Sequence, residues 1–243
     1  MAEEDLDLVV QLGDYIYEGA PTAGFRVHEG DGEPVTLGDY RNRYAQYKGD
    51  PDLQASRAAF PWVLVQEQWL RRAVAGPTGR WNVLAQQVVV SQRDFTSGPV
   101  QSFSNDGWDG YVADRNGLRD HLAAVGTSNP LILTGGVHAN YVCDVKADFD
   151  DPDSATVATE LVGTSISTGG DGIDQNPGDA VQLAENPHIR FINRNRGYVR
   201  DVVTASEWTA DFRVVDQITT AGAPVRTRAS YVIEAGVPGA QPA

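Results

Sequence analysis

Asp5-Leu6-Asp7-Leu8-Val9-Val10-Gln11-Leu12-Gly13-Asp14 gathers Leu6, Leu8, Val9, Val10 and Leu12 into one short apolar run that stops abruptly at a Gly-Asp pair. A run of this length closed by a turn signal reads as a buried strand that opens into a loop. The design returns in Leu131-Ile132-Leu133-Thr134-Gly135-Gly136-Val137-His138, which Asn129-Pro130 introduces and Gly135-Gly136 halts. Outward from the first run, Thr36-Leu37-Gly38-Asp39 has the form of a capping box, and Tyr40, Tyr44 and Tyr47 then share one helical face. Lys48-Gly49-Asp50-Pro51 ends that helix, and a second starts near Asp52. Residues 58–65 lead into another strand and run, with no turn signal, into a helical pattern over 66–75. A strand over 81–90, a loop over 91–106 and a helix over 109–125 with Leu118, His121, Leu122 and Val125 on one face come next. Strands are then expected at 157–166, 191–193, 198–204, 208–217 and 228–234, and the Gly/Asp/Asn-rich stretch 167–186 reads as a loop without periodicity. Helices alternating with strands early and strands later predict an α/β fold, two sheets packed face to face with helices outside. Catalytic groups in such folds sit on loops at strand ends.

The chain has 243 residues, 41% of them hydrophobic, which is enough for one domain with a substantial core. Its 25 glycines and 13 prolines favour many short elements over a helical bundle. No apolar run approaches the roughly 20 residues that cross a bilayer, so no membrane span is expected. The acidic start Met1-Ala2-Glu3-Glu4-Asp5-Leu6-Asp7 is unlike an export signal, and none is expected. A net charge of −14 argues against nucleic acid as a partner, since that affinity rests on Lys and Arg displacing counterions. Cys143, the lone cysteine, excludes an internal disulfide and a thiolate zinc cluster, and reads as a small buried hydrophobe.

Gly13-Asp14-Tyr15-Ile16-Tyr17-Glu18 carries the strongest chemical signal. A carboxylate delivered at a strand end and a phenol three residues later can converge on one cation: phenolate is a hard anionic ligand suited to ferric iron, and a bridging carboxylate suits two metals. The alternative is a Gly-Asp turn followed by core tyrosines. His138 is the second candidate, to bind metal or donate to a phosphate oxygen; its alternative is a hydrogen-bonded structural histidine. His28 and His188 carry weaker signals. Asp148, Asp150, Asp151 and Asp153 crowd one loop but lack the calcium-loop pattern, and read as a solvated turn. Neither a Gly-x-Ser-x-Gly elbow nor a Gly-Lys-Ser/Thr phosphate loop occurs.

Read together, these segments resemble the alkaline phosphatase D (PhoD-type) family. Leu8 to Glu18 is similar to its Gly-Asp-x-x-Tyr metal-binding signature, shared with purple acid phosphatases. Tyr40-Arg41-Asn42-Arg43-Tyr44, Phe60-Pro61-Trp62, Arg80-Trp81-Asn82-Val83, Trp108-Asp109-Gly110-Tyr111, Thr159-Glu160-Leu161-Val162 and Arg196-Gly197-Tyr198 are similar to further family landmarks, in order along the chain. The resemblance implies a two-sheet β-sandwich core flanked by helices in the metallophosphoesterase αββα manner, here incomplete. It implies hydrolysis of small phosphate esters at an iron and calcium cluster, with Asp14 as a bridging ligand, Tyr17 as an iron ligand and His138 beside the cluster as metal ligand and catalytic group. It also implies a secreted or cell-surface setting.

Three departures set this chain apart from that pattern. Residues 1–243 form a single domain that begins just before the Gly-Asp-x-x-Tyr strand, without the family's N-terminal β-sandwich domain. Val65 abuts Gln66 where the family continues through an Asp-Asp-His-Glu signature and a long segment. Gly135-Gly136-Val137-His138 stands where the family has Gly-Asp-x-His, so hydrogen replaces a metal-binding carboxylate. Losing even outer-shell support costs a metal site about 10 to 100-fold in affinity, so impaired turnover is expected, with a non-catalytic remnant keeping a weak cation or anion site as the alternative. A binding module would use Arg194, Arg196 and Arg200 on anionic ligands; otherwise these arginines read as surface charges. Sheet edges exposed by the missing segment predict self-association.

Overall fold

The computed structural model describes residues 3–13, 15–17, 19–20, 27–30, 32–64 and 79–243. The chain divides into two compact units, Met1–Gln66 and Glu67–Ala243. Among the described residues no helix is long and apolar enough to cross a membrane.

In the first unit, β1 (Val9–Gln11) pairs in parallel with β2 (Trp62–Leu64), Val9 opposite Trp62 and Gln11 opposite Leu64. The buried strand expected over 5–12 is therefore shorter and only half-buried, with Leu8 exposed. The two predicted helices are present as α1 (Leu37–Lys48) and α2 (Pro51–Ala59). Asp39 N–H donates to Thr36 Oγ1 at 3.2 Å while Thr36 N–H donates to the Asp39 carboxylate at 2.8 Å, closing the predicted capping box. Asp50 caps α2 through the N–H groups of Asp52 and Leu53, ahead of Pro51 at its first position. Of the three tyrosines of α1, Tyr44 and Tyr47 pack against Tyr15, and Tyr40 is exposed. The helix expected over 66–75 and the Val65–Gln66 junction lie outside the described residues.

In the second unit, five strands form a mixed sheet: β3 (Asn82–Gln86), β4 (Pro130–Thr134), β5 (Asn140–Lys146), β6 (Thr156–Val162) and β7 (Ile189–Asn193), in the order β3-β4-β6-β5-β7. β3, β4 and β6 run parallel, while β5 is antiparallel to both β6 and β7. β8 (Arg196–Val203), β9 (Glu207–Val215), β10 (Arg226–Glu234) and β11 (Gln241–Pro242) form an antiparallel sheet in the order β11-β10-β9-β8. Along β9 the buried residues Trp208, Ala210, Phe212 and Val214 alternate with less buried ones, the period of a strand with one covered face. That face meets the first sheet. Leu131, Val142 and Leu161 pack with Trp208, Phe212, Tyr231 and Ile233 in one core, and Phe191 lies 5.1 Å from Phe212, ring to ring.

A 3-10 turn (Trp108–Gly110) leads into α3 (Val112–Val125), which lays Leu118 and Leu122 on Leu84, Ile132, Val145 and Ala158. His121 and Val125, expected on the same face, are only partly covered. α4 (Pro177–Glu185) corrects the loop expected over 167–186. Asn176 and Asp179 form a second capping box there, and Pro177 occupies the first helical position. β5 is a strand that the sequence analysis leaves unassigned; Asn140 and Asp144 interrupt its apolar pattern, but both are paired, to Asn193 and Arg190. Cys143 in β5 is fully buried, and burial pushes its thiol pKa well up, as suits the hydrophobic role expected. Asp148 and Asp151 accept from the N–H groups of Asp150 and Asp153, the solvated turn expected of this acidic loop.

Candidate functional site

β4 delivers the site. Its carboxyl end opens into Gly135-Gly136-Val137-His138, beside the ends of parallel β3 and β6, where open α/β sheets place ligands. A buried polar layer holds this end together. Glu160, fully buried on β6, accepts from Val90 N–H at 2.9 Å, Ser91 N–H at 2.8 Å and Thr134 Oγ1 at 2.6 Å. Gln86 at the end of β3 donates to Thr134 Oγ1 at 2.8 Å. The chain therefore leaves β3 at Gln86, before the expected end at 90, because Val90 and Ser91 give their N–H groups to Glu160 instead of to a strand.

The loop that carries His138 is bent twice into the left-handed region, at Gly136 (φ +76°) and at His138 itself (φ 52°). A Cβ added to Gly136 would lie 2.8 Å from the Gln87 carbonyl oxygen. His138 lines a cavity of about 300 Å³ with Val137, Asp171, Gly172, Ile173, Arg194 and Arg196. Arg196, at the start of β8, donates through Nη1 to His138 O at 3.0 Å and through Nε to Gly170 O at 2.9 Å. Arg194 makes a two-pronged contact with Asp179, Nη2 to Oδ1 at 2.6 Å and Nε to Oδ2 at 2.8 Å. Those hydrogen bonds raise the Arg194 pKa. Asp171 accepts from Ile218 N–H, Thr219 N–H and Thr219 Oγ1, bonds that lower its pKa, the hydroxyl most. Arg200 pairs with Asp211 on β9. The surface reading of the three arginines is thus corrected for Arg196, which is buried, and for Arg194, whose partner Asp179 is buried. Asp179, Asp171 and Glu160 surround or brace this loop and periodicity does not reveal them; only the Asn176-x-x-Asp179 spacing of a capping box was available as a signal.

In the first unit, Tyr17 lies on the loop after β1 and Asp14 lies outside the described residues. Arg43, buried on α1, donates Nη1 to Tyr17 O at 2.7 Å and Gly19 O at 3.0 Å. The same nitrogen is 2.8 Å from His28 Nδ1, which also lies 3.0 Å from Gly19 O, and His28 Nε2 lies 2.8 Å from Tyr47 Oη. His28 therefore supports the tyrosine-bearing loop through Arg43. Tyr15 is half-buried: its ring meets Tyr44 and its hydroxyl accepts from Arg57 Nη2.

Tyr17 belongs to the first unit and His138 to the second, and among the described residues no group of three or more His, Cys, Asp or Glu side chains is placed to hold a metal ion. At the position where the family pattern has a carboxylate, Gly136 offers no side-chain oxygen and no room for a Cβ.

Comparison with known proteins gives a consistent picture. A family model described as PhoD-like phosphatase matches residues 1–65 and again 64–212. Alkaline phosphatase D of Bacillus subtilis (strain 168) is 32% identical over 342 aligned residues, taking in 96% of this chain and 58% of that protein. The match is longer than the 243 residues present here, so the relative carries residues inside it that this chain lacks. The chain spans little more than half the length of that relative. A solved structure described as "Structure of PhoD" superposes with a TM-score of 0.90 at 31% identity, covering 99% of this chain and 67% of that one.

Proposed function

Because this chain belongs to the PhoD-like phosphatase family, we propose that it is a phosphoesterase of the alkaline phosphatase and phosphodiesterase type, acting on small phosphate esters with impaired turnover. The collinear match along nearly the whole chain carries this reading. Residues 1–243 are read as one family domain in the αββα manner, with a family segment missing between 65 and 66; the meeting of the two family matches at residues 64–65 supports that.

The proposed metal donors are Asp14, Tyr17 on the loop after β1 and His138 on the loop after β4, with iron and calcium as the metals. A bound cation would polarise the phosphoryl oxygens and lower the pKa of water. The chain's own contribution is clearer. The cavity beside His138 would orient the phosphoryl group, and His138 would donate to one of its oxygens. Gly136 supports the impaired turnover, because a multivalent cluster needs several anionic ligands to offset desolvation and mutual repulsion.

The test pairs iron and calcium analysis of purified protein with turnover of a nitrophenyl phosphate by the wild type and Asp14→Asn. Weak but measurable turnover is expected, reduced by Asp14→Asn by more than the roughly 10 to 100-fold of an outer-shell loss. Protein that stays metal-free in added iron and calcium and turns over nothing would refute the reading.

A further inference from the structure

Arg93 is a buried cation that the fold leaves without a counter-charge. The residue is 7% exposed, its Nε is buried with no hydrogen-bond partner, and among the described residues no carboxylate pairs with its guanidinium. Its neighbours are aromatic instead: the guanidinium carbon lies 5.4 Å from the centre of the Phe95 ring and 5.6 Å from that of Tyr141. Ring faces attract a cation without neutralising it. Asp109 is within reach of the Arg93 charge, but one of its oxygens is held by Arg115 and the other accepts from the Arg93 backbone N–H at 3.1 Å. A guanidinium withdrawn from water is costly until an anion joins it.

The loop that follows Arg93 is tied down while it turns apolar side chains outward. Asp94 Oδ1 accepts from Thr96 N–H at 3.0 Å, Thr96 Oγ1 at 3.1 Å and Ser102 N–H at 3.0 Å. Asn186, which ends α4, exchanges two hydrogen bonds with the Asp94 backbone, at 2.8 and 2.9 Å. Phe95 N–H donates to Ser102 O at 3.0 Å, which brings Phe103 alongside Phe95. Both rings are nevertheless exposed. Apolar groups held out to water by a braced backbone form a contact surface that is already organised. One unpaired cation matches one negative charge, and its planar fork suits a carboxylate.

We propose that Arg93, with Phe95 and Phe103 as an apolar rim, binds a carboxylate carried on an apolar body. The site is apart from the His138 cavity, whose walls include none of the three. It stands whether or not the chain turns over phosphate esters.

Calorimetric titration of the full chain with phenylacetate, acetate and inorganic phosphate tests this. Phenylacetate is expected to bind about tenfold or more tightly than acetate, since only its ring covers the rim. Arg93→Met keeps an unbranched side chain against the rings and removes the charge; it is expected to weaken phenylacetate binding by about tenfold or more. Phe95→Glu sets a carboxylate of the protein's own beside the guanidinium and should weaken binding as much, which decides the matter if Arg93→Met fails to fold. Wild-type protein that binds no phenylacetate, or binds it no better than acetate, would overturn the site, as would an affinity unchanged in either folded variant. Phenylacetate that inorganic phosphate displaces, and that Arg93→Met leaves bound, would belong to the His138 cavity and overturn the site as well.

Discussion

Gly136 shows how one residue decides what a loop can hold. Its φ of +76° is open to glycine at little expense and to other residues under strain, and the Gln87 carbonyl closes the space a Cβ would need. Replacing it with aspartate, the residue expected from the family pattern, therefore asks the backbone to move. Gly136→Asp is expected to lose about 1–3 kcal/mol of stability, read from the urea midpoint, and to gain no strong turnover. An unchanged midpoint would show that the loop yields freely, and strong turnover would show that the missing segment is dispensable. Glu160 makes the same point from the other side: a carboxylate mid-strand looks misplaced in sequence, yet three donors converge on it once β3, β4 and β6 lie side by side.

Among the elements, α4 depends on one side chain used twice. Asp179 closes the capping box by accepting from Asn176 N–H at 2.7 Å, and it also holds Arg194 at the wall of the cavity. Asp179→Ala removes both roles and leaves a guanidinium without its buried partner. A loss of about 3–5 kcal/mol is expected, measured by denaturant unfolding, together with reduced helicity if α4 frays. A change under about 1 kcal/mol, the value of a cap alone, would mean the Arg194 pair contributes nothing. α1 has the same kind of box on an exposed surface, and its role is different: Arg43 on its covered side fixes the backbone at Tyr17 and Gly19.

At the scale of the whole molecule, two titratable groups set opposing dependences on pH. His188, with Nε2 2.7 Å from Gln92 O and its ring against Phe149, is pushed down from 6.5 to about 4 by burial. The unfolded chain takes up that proton first, so the His188 contribution falls as pH drops from 6.5 toward 4. Asp201, which accepts from Trp208 Nε1 at 2.7 Å, is pushed up from 3.8 to about 6, by burial first. Here the native fold takes up the proton first, so this contribution grows on acidification through the same range. Each amounts to at most about 3 kcal/mol. Wild-type stability, followed by urea midpoints from pH 6 to 4, is the reference profile. Asp201→Asn should make it fall on acidification and His188→Gln should make it rise; variants that both keep the wild-type profile would discount the two shifts.

The sequence by itself determined the α/β character, the helices α1, α2 and α3, the strand-to-loop openings at Gly13 and Gly135, and the family, because caps, turns and apolar runs are written among neighbours a few residues apart. It did not determine β5 or α4, whose polar residues look wrong until Asn193, Arg190 and Arg194 stand opposite them. Nor did it separate Arg196 from Arg194 and Arg200. All three arginines fall in one short stretch and read alike. Only the tertiary structure decided which of them meets a carboxylate and which is buried against carbonyls, since charge balance depends on groups brought together from distant parts of the chain.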